Sequence, residues 1–125
     1  MLHGTEQVIK KTSLPPELIN DIIYNIKAVL GEKLESIVLY GSYARASQES
    51  DSDIDIIALV DGDDSYIKSV DDLITDITVD LSLKYNIVVS ILLQNLDQYR
   101  QFLDVLPFFM NIEKEGIELY ERENH

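Results

Sequence analysis

The sequence predicts a small α/β (α+β) fold, in which a mixed sheet of about four strands is flanked by helices. Apolar residues recur at helical spacing in some segments, and short apolar runs bounded by turn residues lie between those segments. Since 46% of the 125 residues are apolar, we expect one hydrophobic core and one domain spanning residues 1–125. Residues 1–12 are polar, and we expect them to be loosely ordered.

The first half of the chain is predicted to form one helix and two strands. The helix spans residues 15–30, with apolar side chains in one stripe and Ser13 as a candidate cap. The strands span Leu34–Tyr40 and Ile54–Val60. Both strands carry apolar residues at positions of either parity, which is typical of strands covered on two faces. The polar segment between them is expected to be a loop.

The second half begins with a turn, Asp61–Asp64, and continues with a helix over residues 65–85 whose apolar positions keep helical spacing. The run IVVSILL, residues 87–93, predicts a third strand because only one of its members is polar. Shorter helices are predicted at residues 95–103 and 107–114, and a last strand at residues 117–120.

The charge of the chain restricts its partners. With 10 Lys+Arg against 23 Asp+Glu, the formal net charge is −13, which repels nucleic-acid backbones. We therefore expect no long nucleic acid as a partner, whereas a basic protein or a cation-chelated nucleotide is compatible with this charge. Without cysteine there are no disulfides or thiolate zinc sites, and no apolar run approaches the ~20 residues of a membrane span. A cytoplasmic protein is expected; a homo-oligomer remains open.

A pair of carboxylates next to a glycine turn is the strongest functional signal. Gly41 and Ser42 follow the first predicted strand, and Asp53 and Asp55 stand at the start of the second. Residues two apart in a strand share a face, so the two carboxylates project together. Paired carboxylates suit Mg²⁺, which usually also holds substrate phosphates, and glycine allows close backbone approach to a phosphate. Two solvated carboxylates at a strand entrance are the structural alternative.

The arrangement of Gly-Ser, ten residues and Asp-x-Asp between apolar strands resembles the nucleotidyltransferase superfamily of DNA polymerase beta. The compact size is most similar to its minimal nucleotidyltransferase (MNT) branch. The resemblance implies a nucleotidyltransferase-like fold in which Gly41 and Ser42 contact the phosphates of ATP or another nucleoside triphosphate. Asp53 and Asp55 would be the catalytic residues and hold one or two Mg²⁺. Arg45 matches an arginine frequent in this branch and would pair with a phosphate; in isolation, a surface salt bridge is the alternative.

Two positions depart from the family pattern. Ala46 follows Arg45 where glycine is frequent. Active relatives commonly carry a third carboxylate on the strand after the crossing helix, and the matching residue here is Ser90. A serine hydroxyl is a poor metal ligand and no general base at neutral pH, and without the resemblance Ser90 would be interpreted as a small core residue. Ser42 has a structural alternative too, as the cap of a short helix after the turn.

Two functions follow from the resemblance. The first is an Mg-dependent nucleotidyltransferase that moves AMP from ATP onto a hydroxyl, with a partner protein as acceptor, as in MNT antitoxins paired with HEPN toxins. The alternative is a weak or inactive module of the same fold that binds a HEPN-type toxin or senses a nucleotide; the serine in the third strand favours this alternative. Part of the segment LDVLPFFM, residues 103–110, is a candidate apolar patch for a partner.

Overall fold

A computed structural model describes residues 12–123 of the chain. Its four strands form one mixed sheet in the order β3-β2-β1-β4, in which only the pair β2–β3 is parallel. The predicted mixed sheet of four strands is thus confirmed, while the expectation for residues 1–11 lies outside the described part. The strands are β1 (Leu34–Tyr40), β2 (Ile54–Val60), β3 (Val89–Asn95) and β4 (Ile117–Glu121).

The part of the chain from residue 12 to residue 123 has four α-helices, which cover the two faces of this sheet unequally. The two long helices share one face, and the two short ones lie on the other. A single 3₁₀ turn at Gly31–Lys33 links the first helix to β1. The helices are α1 (Pro16–Leu30), α2 (Asp64–Tyr85), α3 (Leu96–Gln101) and α4 (Pro107–Glu115).

The face under α1 and α2 holds the main hydrophobic core. Ile22 and Ile26 of α1 are fully buried against Ile56 and other apolar side chains of β2. The two helices are also joined by a polar contact, because Asp21 accepts hydrogen bonds from the Lys84 ammonium at 2.8 Å and the Tyr85 hydroxyl at 2.6 Å. The apolar stripes read from the sequence therefore face the sheet as predicted.

The opposite face carries a smaller core under the short helices. Ile57 and Leu59 of β2 are buried there against Tyr99, Phe109 and Ile112 of α3 and α4. These helices leave the N-terminal end of β2 partly open to solvent, and that end holds Asp55, the one polar residue of the strand. Among residues 12–123, no helix combines the length and apolar character that a membrane span requires.

Two helix starts differ from the sequence prediction in how their first turns are capped. The proposal that Ser13 caps α1 is wrong: Pro15 occupies the N-cap without a side-chain bond, and the Ser13 hydroxyl accepts from the Gln48 amide at 3.0 Å. In α2, the Asp63 carboxylate accepts from the Tyr66 N–H at 2.8 Å. The predicted acidic turn therefore supplies the first residues of this helix.

Strand β3 begins two residues later than the apolar run predicts. Asn86 ends α2 in the left-handed conformation, with φ 55°, and the Ser82 hydroxyl then accepts a hydrogen bond from the Val89 N–H. The strand also continues past the apolar run, because pairing with β2 extends to the Val60–Asn95 pair. Backbone pairing, rather than hydropathy, thus sets both ends of β3.

Candidate functional site

The register of the sheet gathers the predicted site residues on its less covered face. Asp55 is the cross-strand partner of Tyr40 on β1 and of Ser90 on β3. Side chains at such paired positions lie next to each other on one face of a sheet. Asp53, immediately before β2, is exposed, and Asp55 is half-buried. Tyr40, Asp55 and Ser90 therefore form a row across three strands, with Asp53 beside it at the edge.

The glycine turn closes directly on one of these carboxylates. Gly41 follows β1 with φ +77°, a conformation that other residues rarely adopt. A Cβ added at Gly41 would lie only 2.4 Å from the Asp55 Oδ2 atom. Glycine is thus required here both by its conformation and by the space available. The backbone of the turn and the Asp55 carboxylate consequently border the same small volume.

The turn after β1 offers donors to an anion. The Gly41 carbonyl accepts hydrogen bonds from the N–H groups of Ala44 and Arg45, at 3.1 and 3.2 Å. The N–H groups of Ser42 and Tyr43 have no acceptor among residues 12–123. Successive free N–H groups in a turn favour binding of an anion. The alternative in which Ser42 caps a following helix is wrong, because turns rather than a helix follow it.

The electrostatics of the row favour a bound cation. The pKa of the Asp55 carboxyl is raised by burial and by repulsion from Asp53, while Arg45 has the opposite effect. Burial and the charge of Asp55 also raise the pKa of the Tyr40 hydroxyl, so that hydroxyl stays protonated at neutral pH. A divalent cation between the two carboxylates would remove their repulsion.

The carboxylates fit Mg²⁺ only with help from a ligand. Residues 12–123 contain no group of three or more acidic or histidine side chains arranged to hold a metal ion. Two carboxylates are nevertheless a usual protein contribution to an Mg²⁺ site, since substrate phosphates and water complete the octahedral coordination. Asp53 and Asp55, with the Gly41 backbone beside them, are therefore suited to a metal–nucleotide complex rather than to a metal alone.

Arg45 lies near the site but is engaged by another side chain. Its Nη1 atom is 3.7 Å from the Glu115 Oε1 atom at the end of α4, and both side chains are almost half exposed. Such exposed ion pairs contribute little to stability, so the guanidinium can change partners at low cost. Arg45 thus forms the surface salt bridge predicted from the sequence as the alternative to a phosphate contact. To bind a phosphate, its guanidinium would have to move away from Glu115.

The two departures from the family pattern have structural explanations. Ser90 is exposed next to Asp55, so its interpretation as a buried core residue is wrong, and the site has a hydroxyl where a third carboxylate would stand. Ala46 adopts φ 57°, the left-handed region in which glycine is favoured, and this explains why a glycine suits that position.

Sequence reasoning missed three residues: Tyr40, which belongs to the row, and Phe108 and Glu115, which lie beside it. The Tyr40 ring meets the Phe108 ring edge to face, with the ring centroids 5.4 Å apart. The position of Tyr40 directly before Gly41 would have indicated its closeness to the turn. The approach of Glu115 and Phe108 had no signal in the sequence, because it depends on how α4 packs across the sheet.

Comparison with known proteins gives consistent relationships. The sequence pattern of the polymerase beta nucleotidyltransferase family matches residues 24–125. Putative protein adenylyltransferase MJ0604 of Methanocaldococcus jannaschii is 28% identical over 102 residues, which cover 82% of this chain and 94% of the relative. Putative protein adenylyltransferase MJ0141 of the same organism is 30% identical over 103 residues, which cover 82% of this chain and 96% of the relative.

Solved structures share the fold at lower sequence identity. A chain of a toxin–antitoxin crystallised with AMP-PNP superimposes with a TM-score of 0.55 and 21% identity, over 84% of this chain and 74% of the other. A second similar structure contains a tri-AMPylated Shewanella oneidensis HEPN toxin in complex with an MNT antitoxin. Its TM-score is 0.50 and its identity 19%, over 85% of this chain and 71% of the other.

Proposed function

The chain belongs to the polymerase beta nucleotidyltransferase family, and we propose that it transfers AMP from Mg-ATP to a hydroxyl group of a partner protein. The observation that carries this proposal is the contact between the Gly41 turn and the Asp55 carboxylate, with Asp53 beside it. The arrangement brings two metal-ligating carboxylates and a glycine backbone to one place on the open face of the sheet. Mg²⁺ bound there would neutralise charge on the triphosphate.

The residues of the chain have distinct parts in this reaction. Asp53 and Asp55 hold the metal–nucleotide complex, and the free N–H groups of Ser42 and Tyr43 donate to phosphate oxygens. Arg45 exchanges Glu115 for a phosphate, to which a guanidinium can bind with two parallel hydrogen bonds. The acceptor oxygen then bonds to the α-phosphorus while the bond from that phosphorus to the bridging oxygen breaks. Pyrophosphate leaves, and the hydroxyl proton passes to solvent.

A protein acceptor is favoured by the relatives and by the charge of the chain. Two relatives are named as protein adenylyltransferases, and a structural neighbour is an MNT antitoxin in complex with an AMPylated HEPN toxin. The net charge of −13 is compatible with a basic protein partner. We therefore propose a HEPN-type protein as the acceptor.

Transfer of label from ATP to that partner tests the proposal. The chain, a candidate HEPN-type partner protein and α-labelled ATP are incubated with and without Mg²⁺. We expect Mg-dependent labelling of the partner, lost in Asp53→Asn and retained in Asp72→Asn. The control variant removes the same charge from an exposed position on α2. A partner that stays unlabelled with the unaltered chain would contradict the transferase proposal.

The position of Ser90, next to Asp55 in the row, supports a second candidate function. In this case the chain binds the HEPN-type partner and Mg-ATP without transfer, because no third carboxylate helps to deprotonate the acceptor. The change Ser90→Asp distinguishes the candidates, since the exposed position next to Asp55 can accept a carboxylate without repacking the core. A slow transferase should gain about a hundredfold in rate, the lower end of the usual contribution of a positioned proton acceptor. A binding module should show no labelling before or after the change.

A further inference from the structure

An exposed apolar strip lies beside the candidate site. Val105, Leu106, Phe108 and Met110, in α4 and the loop before it, each have between 41 and 65% of their surface exposed. We call these four residues the α4 strip. Scattered exposed apolar residues are ordinary, but four within six positions of one segment form a patch typical of interaction sites. The neighbouring Phe109 and Ile112 are buried, so the strip is the outer side of a segment anchored by its inner side.

The α4 strip is continuous with the row of polar residues on the sheet. The Phe108 ring contacts the Tyr40 ring, and Tyr40 is the cross-strand partner of Asp55. At the other end of α4, Glu115 contacts Arg45. A macromolecule that presents a hydroxyl to Asp55 from the side of β1 would therefore lie over α4. A small acceptor would leave the strip in water.

An acidic groove adjoins the strip on the same face. A cavity of about 440 Å³ lies between α3, α4 and the strands β1 and β4, and Glu113, Glu118 and Glu121 line it. None of these three carboxylates forms an ion pair with a cationic side chain of residues 12–123. Glu113 accepts a hydrogen bond from the Tyr99 hydroxyl at 2.7 Å, and Arg100 also lines the cavity. The groove thus has an excess of negative charge that an incoming cation would balance.

We propose that the α4 strip and the acidic groove together dock the acceptor protein, with apolar side chains of that protein on the strip and a lysine or arginine in the groove. This inference rests on the proposed transfer to a partner protein and identifies the surface that selects it. A second copy of this chain is the less suitable occupant, because two copies of net charge −13 repel each other. The groove charge and the apolar strip instead complement a basic protein with an exposed apolar segment.

The strip is tested by kinetics with a matched control. The double variant Val105→Ser/Met110→Ser removes apolar surface without touching Asp55, Gly41 or Arg45. Mg-ATP should raise the Tm of the unaltered chain, because a ligand that binds only the folded state stabilises that state. In the strip variant we expect this increase to stay unchanged, while the KM for the acceptor protein rises at least tenfold. The control Leu73→Ser/Leu83→Ser removes exposed apolar surface from α2, on the other face. An unchanged KM in the strip variant, or an equal rise in the control, would overturn the proposal.

The role of the groove in docking is tested by removing negative charge from it. Glu118→Gln/Glu121→Gln should raise the KM for the acceptor and weaken its dependence on salt, whereas Asp71→Asn/Asp72→Asn on α2 should change neither. Equal effects of the two double variants would show that only net charge matters and would contradict docking in the groove. If the unaltered chain transfers no AMP, the Kd for the acceptor replaces the KM. The transferase proposal would then fail, while the same variants still decide whether this surface docks the partner.

Discussion

The two faces of the sheet use similar strands for different purposes. Under α1 and α2, side chains such as Ile22 and Ile56 are completely buried, and the polar contacts of Lys84 with Asp21 and Glu17 lie at the edge of the interface between the two helices. Under α3 and α4, a smaller core stops short of the end of β2, where Asp55 and Ser90 lie in partial contact with solvent. The covered face supplies most of the apolar burial. The open face can therefore hold two carboxylates that repel each other, together with a strained turn, because the sheet beside them is rigid.

The largest expected difference between the faces is in stability. Ile22→Ala should lower the free energy of unfolding by about 4 kcal/mol, because the fully covered site cannot collapse around the cavity. Ile112→Ala, under the short helices, should cost about 2 kcal/mol, at the lower end of the usual range, because the adjoining groove lets α4 adjust. Urea unfolding measures both values. Equal losses would mean that the two faces are equally well packed, contrary to this comparison.

The second prediction compares two glycines that differ in the space around them. Gly31 and Gly41 both have positive φ, but a Cβ at Gly31 meets nothing within 4 Å, whereas one at Gly41 meets the Asp55 carboxylate. Gly31→Ala should therefore cost only the strain of a backbone conformation that favours glycine, with φ 55° and ψ −129°, roughly 1–3 kcal/mol. Gly41→Ala should cost more and also abolish the increase in Tm caused by Mg-ATP. A Gly41→Ala variant that still responds to Mg-ATP would contradict the role assigned to this turn.

The third prediction concerns pH and contrasts one carboxylate from each face. Hydrogen bonds from Lys84 and then Tyr85 lower the pKa of Asp21, whereas burial and Asp53 raise that of Asp55. Asp21 therefore stabilises the fold above its unfolded pKa, and this contribution is lost as pH falls through its lowered folded value. The contribution of Asp55 to the free energy of unfolding has the opposite sign. Ionised Asp55 destabilises the fold above its raised folded pKa, and this destabilisation disappears as pH falls.

The variants Asp21→Asn and Asp55→Asn separate these contributions. At pH 7, the first should lower the free energy of unfolding and the second should raise it, each by less than either glycine change. The effect of Asp55→Asn should vanish first on acidification, since Asp55 takes up its proton at a higher pH than Asp21. Urea unfolding at a series of pH values measures both effects. Two effects of the same sign at pH 7 would contradict the assigned pKa directions.

The smallest expected effect is at Ala46. Its φ of 57° strains an alanine by about 1 kcal/mol, and part of the relief that glycine brings is offset by the greater entropy of the unfolded chain. Ala46→Gly should therefore stabilise the protein by about 0.5 kcal/mol. Ala44→Gly, in the same turn without a positive φ, should destabilise it and serves as the control. A loss of stability in both variants would mean that the conformation of Ala46 is not strained.

Much of the fold follows from local sequence signals. Both β1 and β2 were predicted to the residue, because each apolar run is bounded by glycine or polar residues that cannot continue a covered strand. The bounds of β3 were missed, since its start depends on the left-handed Asn86 and its end on pairing with β2. The Ser13 cap was also wrong, because a residue 35 positions away binds its hydroxyl.

The site was only partly predictable for a related reason. Spacing along one strand placed Asp53 and Asp55 together, and the family resemblance indicated Ser90, which the parallel register puts beside Asp55. The assigned roles of these residues remain predictions. The Arg45–Glu115 contact and the position of Phe108 depend on the path of α4 across the sheet, which no short pattern in the sequence records.

The exposed position of Ser90 has a consequence for how such a protein can change over evolutionary time. Its side chain points away from the main core and stands next to Asp55, so an acidic replacement there requires no other residue to move. A third carboxylate can therefore be gained or lost at this position without a change in the fold. Under the proposed function, a lineage could exchange chemical turnover for partner binding, and recover it later, through this single position, which the packed interior does not constrain.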